Sequence, residues 1–225
     1  RSIIMNQIHK FRKEKETMKN REIRTIIGKV ESRAEEDGKI TLVGQPIVFN
    51  QRTNIGGYFE EEIAPEAIDD SVLRDVCFLV NHDFSGIPLA RSRNNNANSN
   101  LRFAKSNFAV DMEADLDPKN PKAIELNSAV ERGDIPGMSF AFIVDGEVWS
   151  NLDSDYPNRR ITHISEIFEV SAVTWPAYEG TSIQSERSLE SSLESLKRAR
   201  EELESARVRS AKVAELNNEL KEIQS

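Results

Sequence analysis

The chain is 225 residues long, 38% hydrophobic and 30% charged, with a formal net charge of −8. That length accommodates one domain of roughly 150 residues with appendages, and the negative balance argues against nucleic acid as the partner of the whole protein, because phosphate binding wants a basic surface. No apolar stretch approaches the ~20 residues that span a bilayer, no secretory signal with a hydrophobic core segment is visible, and the lone Cys77 excludes an intramolecular disulfide and a thiolate metal cluster.

Residues 1–22 form a polar, basic arm, and over the first thirty-odd residues Lys10, Arg12, Lys13, Lys15, Lys19, Arg21 and Arg24 outnumber nearby acids. Such an arm is either a solvated tail or a docking segment for an acidic partner or nucleic acid. The sequence opens on Arg1, which leaves the natural start open: upstream, at Met5 or at Met18. From Ile23 the character changes. Ile23–Val30 and Lys39–Gly44 read as strands around the acidic turn Glu35-Glu36-Asp37-Gly38, and Pro46–Phe49 continues as another. A polar loop, Asn50–Gly57, leads into Tyr58–Ile63, and Ala64-Pro65-Glu66-Ala67-Ile68 looks like a short helical entry with proline early.

Val76–Val80 is an apolar β-type run ending at Asn81-His82-Asp83, and Cys77 inside it reads as a small buried residue of a reducing, intracellular protein. After the polar loop Asn94–Asn100, Leu101–Ala104 and Phe108–Ala114 alternate with period two, the pattern of half-buried strands. Asp117-Pro118 to Pro121 opens a helix carrying Ala123, Ile124, Leu126, Ala129 and Val130, stopped near Gly133. Phe140–Val144 is a strand, Asp145-Gly146 a turn into Glu147-Val148-Trp149, and Arg160–Val173 a long run of sheet. Trp175–Tyr178 closes the globular part. After Thr181, leucines at three- and four-residue intervals among Glu, Lys and Arg describe an amphipathic helix whose heptad phase slips between Leu203 and Leu216. The division is therefore a basic arm (1–22), a main domain (23–181) and a helical, removable C-terminal segment (182–225).

Three residues stand out for chemistry. His82 follows a buried run at a strand end with polar neighbours; it either acts as a base or caps the strand. The adjacent Asp83 has no second ligand cluster, so a metal site is not supported, and nothing in the pattern calls for a cofactor. Ser139 follows the tight Gly133–Gly137 backbone and precedes a strand, a setting that can present a hydroxyl with backbone N–H groups around it. It is not a Gly-x-Ser-x-Gly elbow, since Ala141 holds the last position and strand follows instead of helix. Glu169 stands in the apolar run Phe168–Val173, where a carboxylate is costly to bury unless paired. An imidazole would provide that pair, and a serine needs such a base, itself oriented by a third group. His163, six residues from Glu169, competes for the orienting role; His9 lies in the tail.

Taken together, Asn81-His82-Asp83 with Pro88-Leu89-Ala90-Arg91, Gly133 to Phe140, and Glu169-Val170-Ser171-Ala172-Val173-Thr174-Trp175-Pro176-Ala177 resemble the prohead maturation proteases of tailed bacteriophages, in order from about Ile23 to Thr181. The family's usual Ser-Phe-Gly-Phe appears as Ser139-Phe140-Ala141-Phe142. The resemblance implies an α+β fold: a mostly antiparallel, barrel-like β core similar to the herpesvirus assembly proteases, surrounded by helices and followed by the C-terminal amphipathic helix. It implies His82 as general base, Ser139 as nucleophile and Glu169 as third member, with His163 the alternative because the herpesvirus relatives use a second histidine. Arg159 and Arg160 are oxyanion donors by loose analogy only.

The function expected is a serine endopeptidase that cuts the scaffold, or the scaffolding domain of the major capsid protein, and itself. It would act in the host cytoplasm inside the assembling prohead, with self-association allowed and no membrane partner. The rival is a catalytically inert assembly module in which the β domain and helix only bind. A small-molecule hydrolase on the same three residues lacks the elbow and helix of its class.

Overall fold

The computed structural model describes residues 21–26, 30–34, 38–175 and 186–223; most of the basic arm, residues 1–20, and the junction at 176–185 lie outside them. The described chain is α+β with mostly antiparallel sheets. Among the described residues eleven strands run in order: β1 (Glu22–Ile26), β2 (Val30–Ala34), β3 (Ile40–Val48), β4 (Thr53–Ile55), β5 (Phe59–Ile63), β6 (Cys77–Val80), β7 (Ala90–Arg91), β8 (Leu101–Lys105), β9 (Ala109–Leu116), β10 (Gly137–Ser150) and β11 (Asn158–Val173). Helix α1 (Pro121–Arg132) lies between β9 and β10, and α2 (Glu186–Ile223) ends the chain.

The first sheet has the order β1-β10-β11-β5-β4, with β6 pairing to β11 and β7 to β6; the second is β2-β3-β9-β8. Among the described residues neither sheet closes on itself, so the expected barrel is corrected to two open sheets. Within the run Ile23–Val30, read as one strand from sequence, β1 pairs with β10 in the first sheet and β2 with β3 in the second; residues 27–29 and the acidic turn expected at 35–37 lie outside the described residues. Leu42, Ile47, Phe78, Met138, Phe140, Phe142 and Ile161, drawn from both sheets, join Ala123, Leu126 and Val130 of α1 in one contiguous core.

α1 begins where Asn120 caps the Lys122 amide at 3.1 Å with Pro121 at the first position, and stops at Gly133, which adopts a left-handed φ of 78°. The expected turn at Asp145-Gly146 instead lies inside β10, which runs on to Ser150 through a series of register shifts against β11. Gly146 permits this: a Cβ there would come within 2.7 Å of the His163 Cβ on the facing strand. β4 falls in the loop expected over Asn50–Gly57.

At one end of the first sheet, β1, β5, β10, β11 and α2 share a buried ionic cluster. Arg159 pairs with Glu22 and Glu61, both at 2.8 Å, and with Glu147; Arg24 pairs with Glu22 and Glu61; Ser192 of α2 donates to Glu22 at 3.1 Å. All but the half-buried Glu147 are almost fully sequestered, so each charge depends on its neighbours. Burial by itself pushes the Glu22 carboxyl up, but the Arg159 and Arg24 guanidiniums outweigh it and hold the group at about 2. A depressed carboxylate stabilises the fold above its unfolded value, and that contribution is lost as pH falls toward the folded one. Stability of the full chain is therefore expected to drop between about pH 4.5 and about pH 2, and Glu22→Gln to flatten this limb while lowering stability at neutral pH, as read by urea denaturation across that pH range.

Candidate active site

Strand alternation separates the site from the core. Phe140 on β10 faces Val170 on β11, and both belong to the core; their neighbours Ser139 and Ser171 face each other, and Ala141 faces Glu169. Successive side chains point to opposite sides of a sheet, so Ser139, Ser171 and Glu169 share the face turned away from the core cluster. Thr25 of β1, opposite Ser139, joins them.

His82 reaches this face from the other side of β11. β6 runs parallel to β11 with Leu79 beside Ser171 and Val80 beside Ala172, so its end delivers the next two residues to the Glu-Val-Ser segment. Asn81 and His82 both adopt left-handed backbone angles, φ 50° and 57°, an arrangement uncommon outside glycine that concentrates at functional sites. The turn is clamped: the Asn81 amide donates to Ala172 O at 3.0 Å, the Asp83 amide to Val80 O at 3.1 Å, and the Asn81 side chain accepts from the Thr174 amide at 3.0 Å.

The His82 ring then lies with Nδ1 2.7 Å from Glu169 Oε1. The carboxylate is buried and the imidazole about one-fifth exposed. With Nδ1–H donating to the anion, the neutral ring carries its lone pair on Nε2. Ser171 completes the carboxylate: its hydroxyl donates to Glu169 Oε2 and accepts from the His82 backbone amide at 3.1 Å.

Ser139 is fully buried; its hydroxyl donates to the Arg24 carbonyl at 2.9 Å and accepts from the Thr25 hydroxyl at 3.1 Å. Among the described residues no hydrogen bond joins it to His82. The structure thus brings His82 and Glu169 together and sets Ser139 across the strand pair from Ser171, with its proton committed to β1. His163 goes elsewhere: its Nδ1 pairs with Asp145 on the half-exposed far part of the β10–β11 ribbon. Arg159 is consumed by the buried cluster and Arg160 by Glu62 and Asn50. They lie twelve and eleven residues along β11 from Ser171, with their guanidiniums engaged by these partners. A cavity of about 680 Å³ belongs to the second sheet, between residues of β2, β3, β8 and β9, and includes none of the candidate residues.

Residues 28–195 match the family described as caudovirus prohead serine protease, about three quarters of the chain. The chain belongs to that family. Comparisons with curated proteins and with solved structures give no match. A prohead serine protease is a peptide hydrolase of capsid maturation, and no described helix of this member is long and apolar enough to cross a membrane. The family region ends at residue 195 and so includes the first turns of α2, where Ser192 and Ser195 are buried, as is Leu196 just beyond.

Three features escape sequence reasoning: the left-handed pair Asn81-His82, the hydroxyl of Ser171 and the Arg24 carbonyl over Ser139. Only Ser171 had a signal, as a polar residue two positions from Glu169 on one strand face. Glu169→Gln, which keeps size but removes the anion beside the imidazole, is expected to lower the rate of Ser139 modification by a fluorophosphonate by roughly 10²-fold or more with the melting temperature little changed; labelling at the wild-type rate would remove Glu169 from the site.

Proposed function

We propose that Ser139 is the nucleophile of this prohead protease, His82 its general base and Glu169 the group that orients His82 and stabilises its charged form. The observation that carries this reading is the hydrogen bond from His82 Nδ1 to the buried Glu169, on the sheet face that also holds Ser139. In the reaction Ser139 Oγ turns from the Arg24 carbonyl and forms a bond to the scissile carbonyl carbon while His82 Nε2 takes its proton. That proton passes to the leaving amine as the C–N bond breaks, and water, deprotonated by the same nitrogen, hydrolyses the acyl-enzyme.

The substrates in this reading are the scaffold, or the scaffolding domain of the major capsid protein, and the protease's own chain, cut inside the prohead in the host cytoplasm. A fold akin to the herpesvirus assembly proteases belongs to the same reading. Self-cleavage is assigned to the small, polar junction Thr181–Ser188, where composition breaks abruptly. The hydrogen bond from Ser139 to Arg24 in place of His82 favours the rival, an inert assembly module.

Co-expression with the capsid protein separates the two. Wild type is expected to give processed capsid bands and a chain whose intact mass reports loss of C-terminal residues. Ser139→Ala and His82→Ala are expected to assemble with unprocessed capsid protein and an uncut chain. Processing that survives Ser139→Ala overturns the assignment of the nucleophile, and an active wild type of unchanged mass overturns self-cleavage.

A further inference from the structure

Ser171 lies between the base and the nucleophile and has no role in the reaction as drawn. We propose that Ser171 is the positioning residue of the site, fixing the Glu169 carboxylate and the His82 backbone at once so that the imidazole is held in one orientation; this rests on the assignments made under Proposed function.

A hydroxyl offers one hydrogen and two lone pairs. The His82 amide takes a lone pair of Ser171 Oγ at 3.1 Å, and the hydroxyl hydrogen goes to Glu169 Oε2. The other carboxylate oxygen, Oε1, meets His82 Nδ1 at 2.7 Å. The result is a closed ring of hydrogen bonds that grips His82 at two points, its main chain and its imidazole, through two side chains of a single strand. A carboxylate held by the imidazole alone can still turn about its own axis. Anchoring its second oxygen fixes the plane of the group, and with it the direction in which Nδ1–H must point. The grip on the amide matters equally, because His82 sits at φ 57° in a turn of two left-handed residues, a backbone that persists only where its surroundings enforce it.

The placement of Ser171 adds a second constraint. It is the strand partner of Ser139 on β10, so the residue that orients the base is locked in register with the nucleophile. Both are fully buried, where each hydrogen bond is made in a low dielectric and the loss of one leaves a polar group without a partner. A hydroxyl with a purely structural task would affect stability; this one sets the reactivity of Ser139.

Labelling of the full chain with a fluorophosphonate tests this, because that reagent reports an activated serine whatever peptide the enzyme cleaves. Ser171→Ala is expected to lower the maximal labelling rate roughly tenfold or more while the half-saturating reagent concentration stays within about twofold. Ser171→Thr, which keeps the hydroxyl, is expected to recover most of the rate. Alanine labelled at the wild-type rate overturns the proposal, as does threonine labelled as slowly as alanine while both melt like wild type. Should the alanine variant not fold, Ser171→Cys serves, since a thiol fills nearly the same space but donates weakly: slow labelling supports the role and a wild-type rate overturns it. Failure of the underlying assignments looks different. A His82→Ala variant as reactive as wild type, or a wild type that takes no label, removes the whole site. A silent His82→Ala beside a fully reactive Ser171→Ala removes only the role of Ser171.

Discussion

Strand β11 has to satisfy two demands with one alternation, and the pairing of Phe140 with Val170 and of Ser139 with Ser171 is how it does so. One parity of each strand feeds the core, where Phe140 and Phe142 stack with ring centroids 4.4 Å apart. The other parity carries a serine, a glutamate and a second serine into a region equally shut off from water. A slip of one residue would exchange the two sets, placing Glu169 among the phenylalanines and the aromatic rings where His82 approaches. The apolar stack thus serves as the register key for the polar face, and stability and chemistry share one constraint.

A buried carboxylate in such a sheet survives only with partners for both oxygens. Glu169 finds one across β6 and one two residues along its own strand. Ala141 is buried directly opposite Glu169. The pairing is regular from Gly137 to Ala141 and shifts only after it. Cys77, read from sequence as buried, is only half-buried beside Glu169 in the parallel register, and burial pushes its thiol up.

The local segments were legible because their signals are local. Helix α1 announces itself by Asn120, Pro121 and Gly133, and β8 and β9 by alternation; His82, Ser139 and Glu169 stand out as polar residues set against apolar runs. What stayed hidden depends on partners distant in sequence. Nothing in Ile23–Val30 reveals that β1 will meet β10 more than a hundred residues later while β2 meets β3. Asp145-Gly146 carries a turn signature, yet here the glycine serves the close passage of His163. The buried cluster joins Glu22 and Arg24 to Glu61, Arg159 and Ser192; its only trace is two charged residues on alternate positions of a short strand that face core phenylalanines. Asn81-His82 lacks the glycine that normally marks left-handed backbone, so its turn could not be foreseen.

The attachment of α2 bears on what a break in the polypeptide accomplishes. Ser192 reaches into the ion cluster, Trp149 Nε1 donates to Ser195 Oγ at 2.9 Å, and farther along Arg200 and Arg207 grip the loop at Leu152–Ser154. Beyond that point Val208, Val213, Leu216 and Leu220 stand exposed. Severing the peptide between 176 and 185 would divide the covalent chain while leaving every one of these contacts in place. Scission there would thus be a separate event from departure of the helix, which would require the guanidiniums and carboxylates beneath it to give up a hydroxyl that water must then replace.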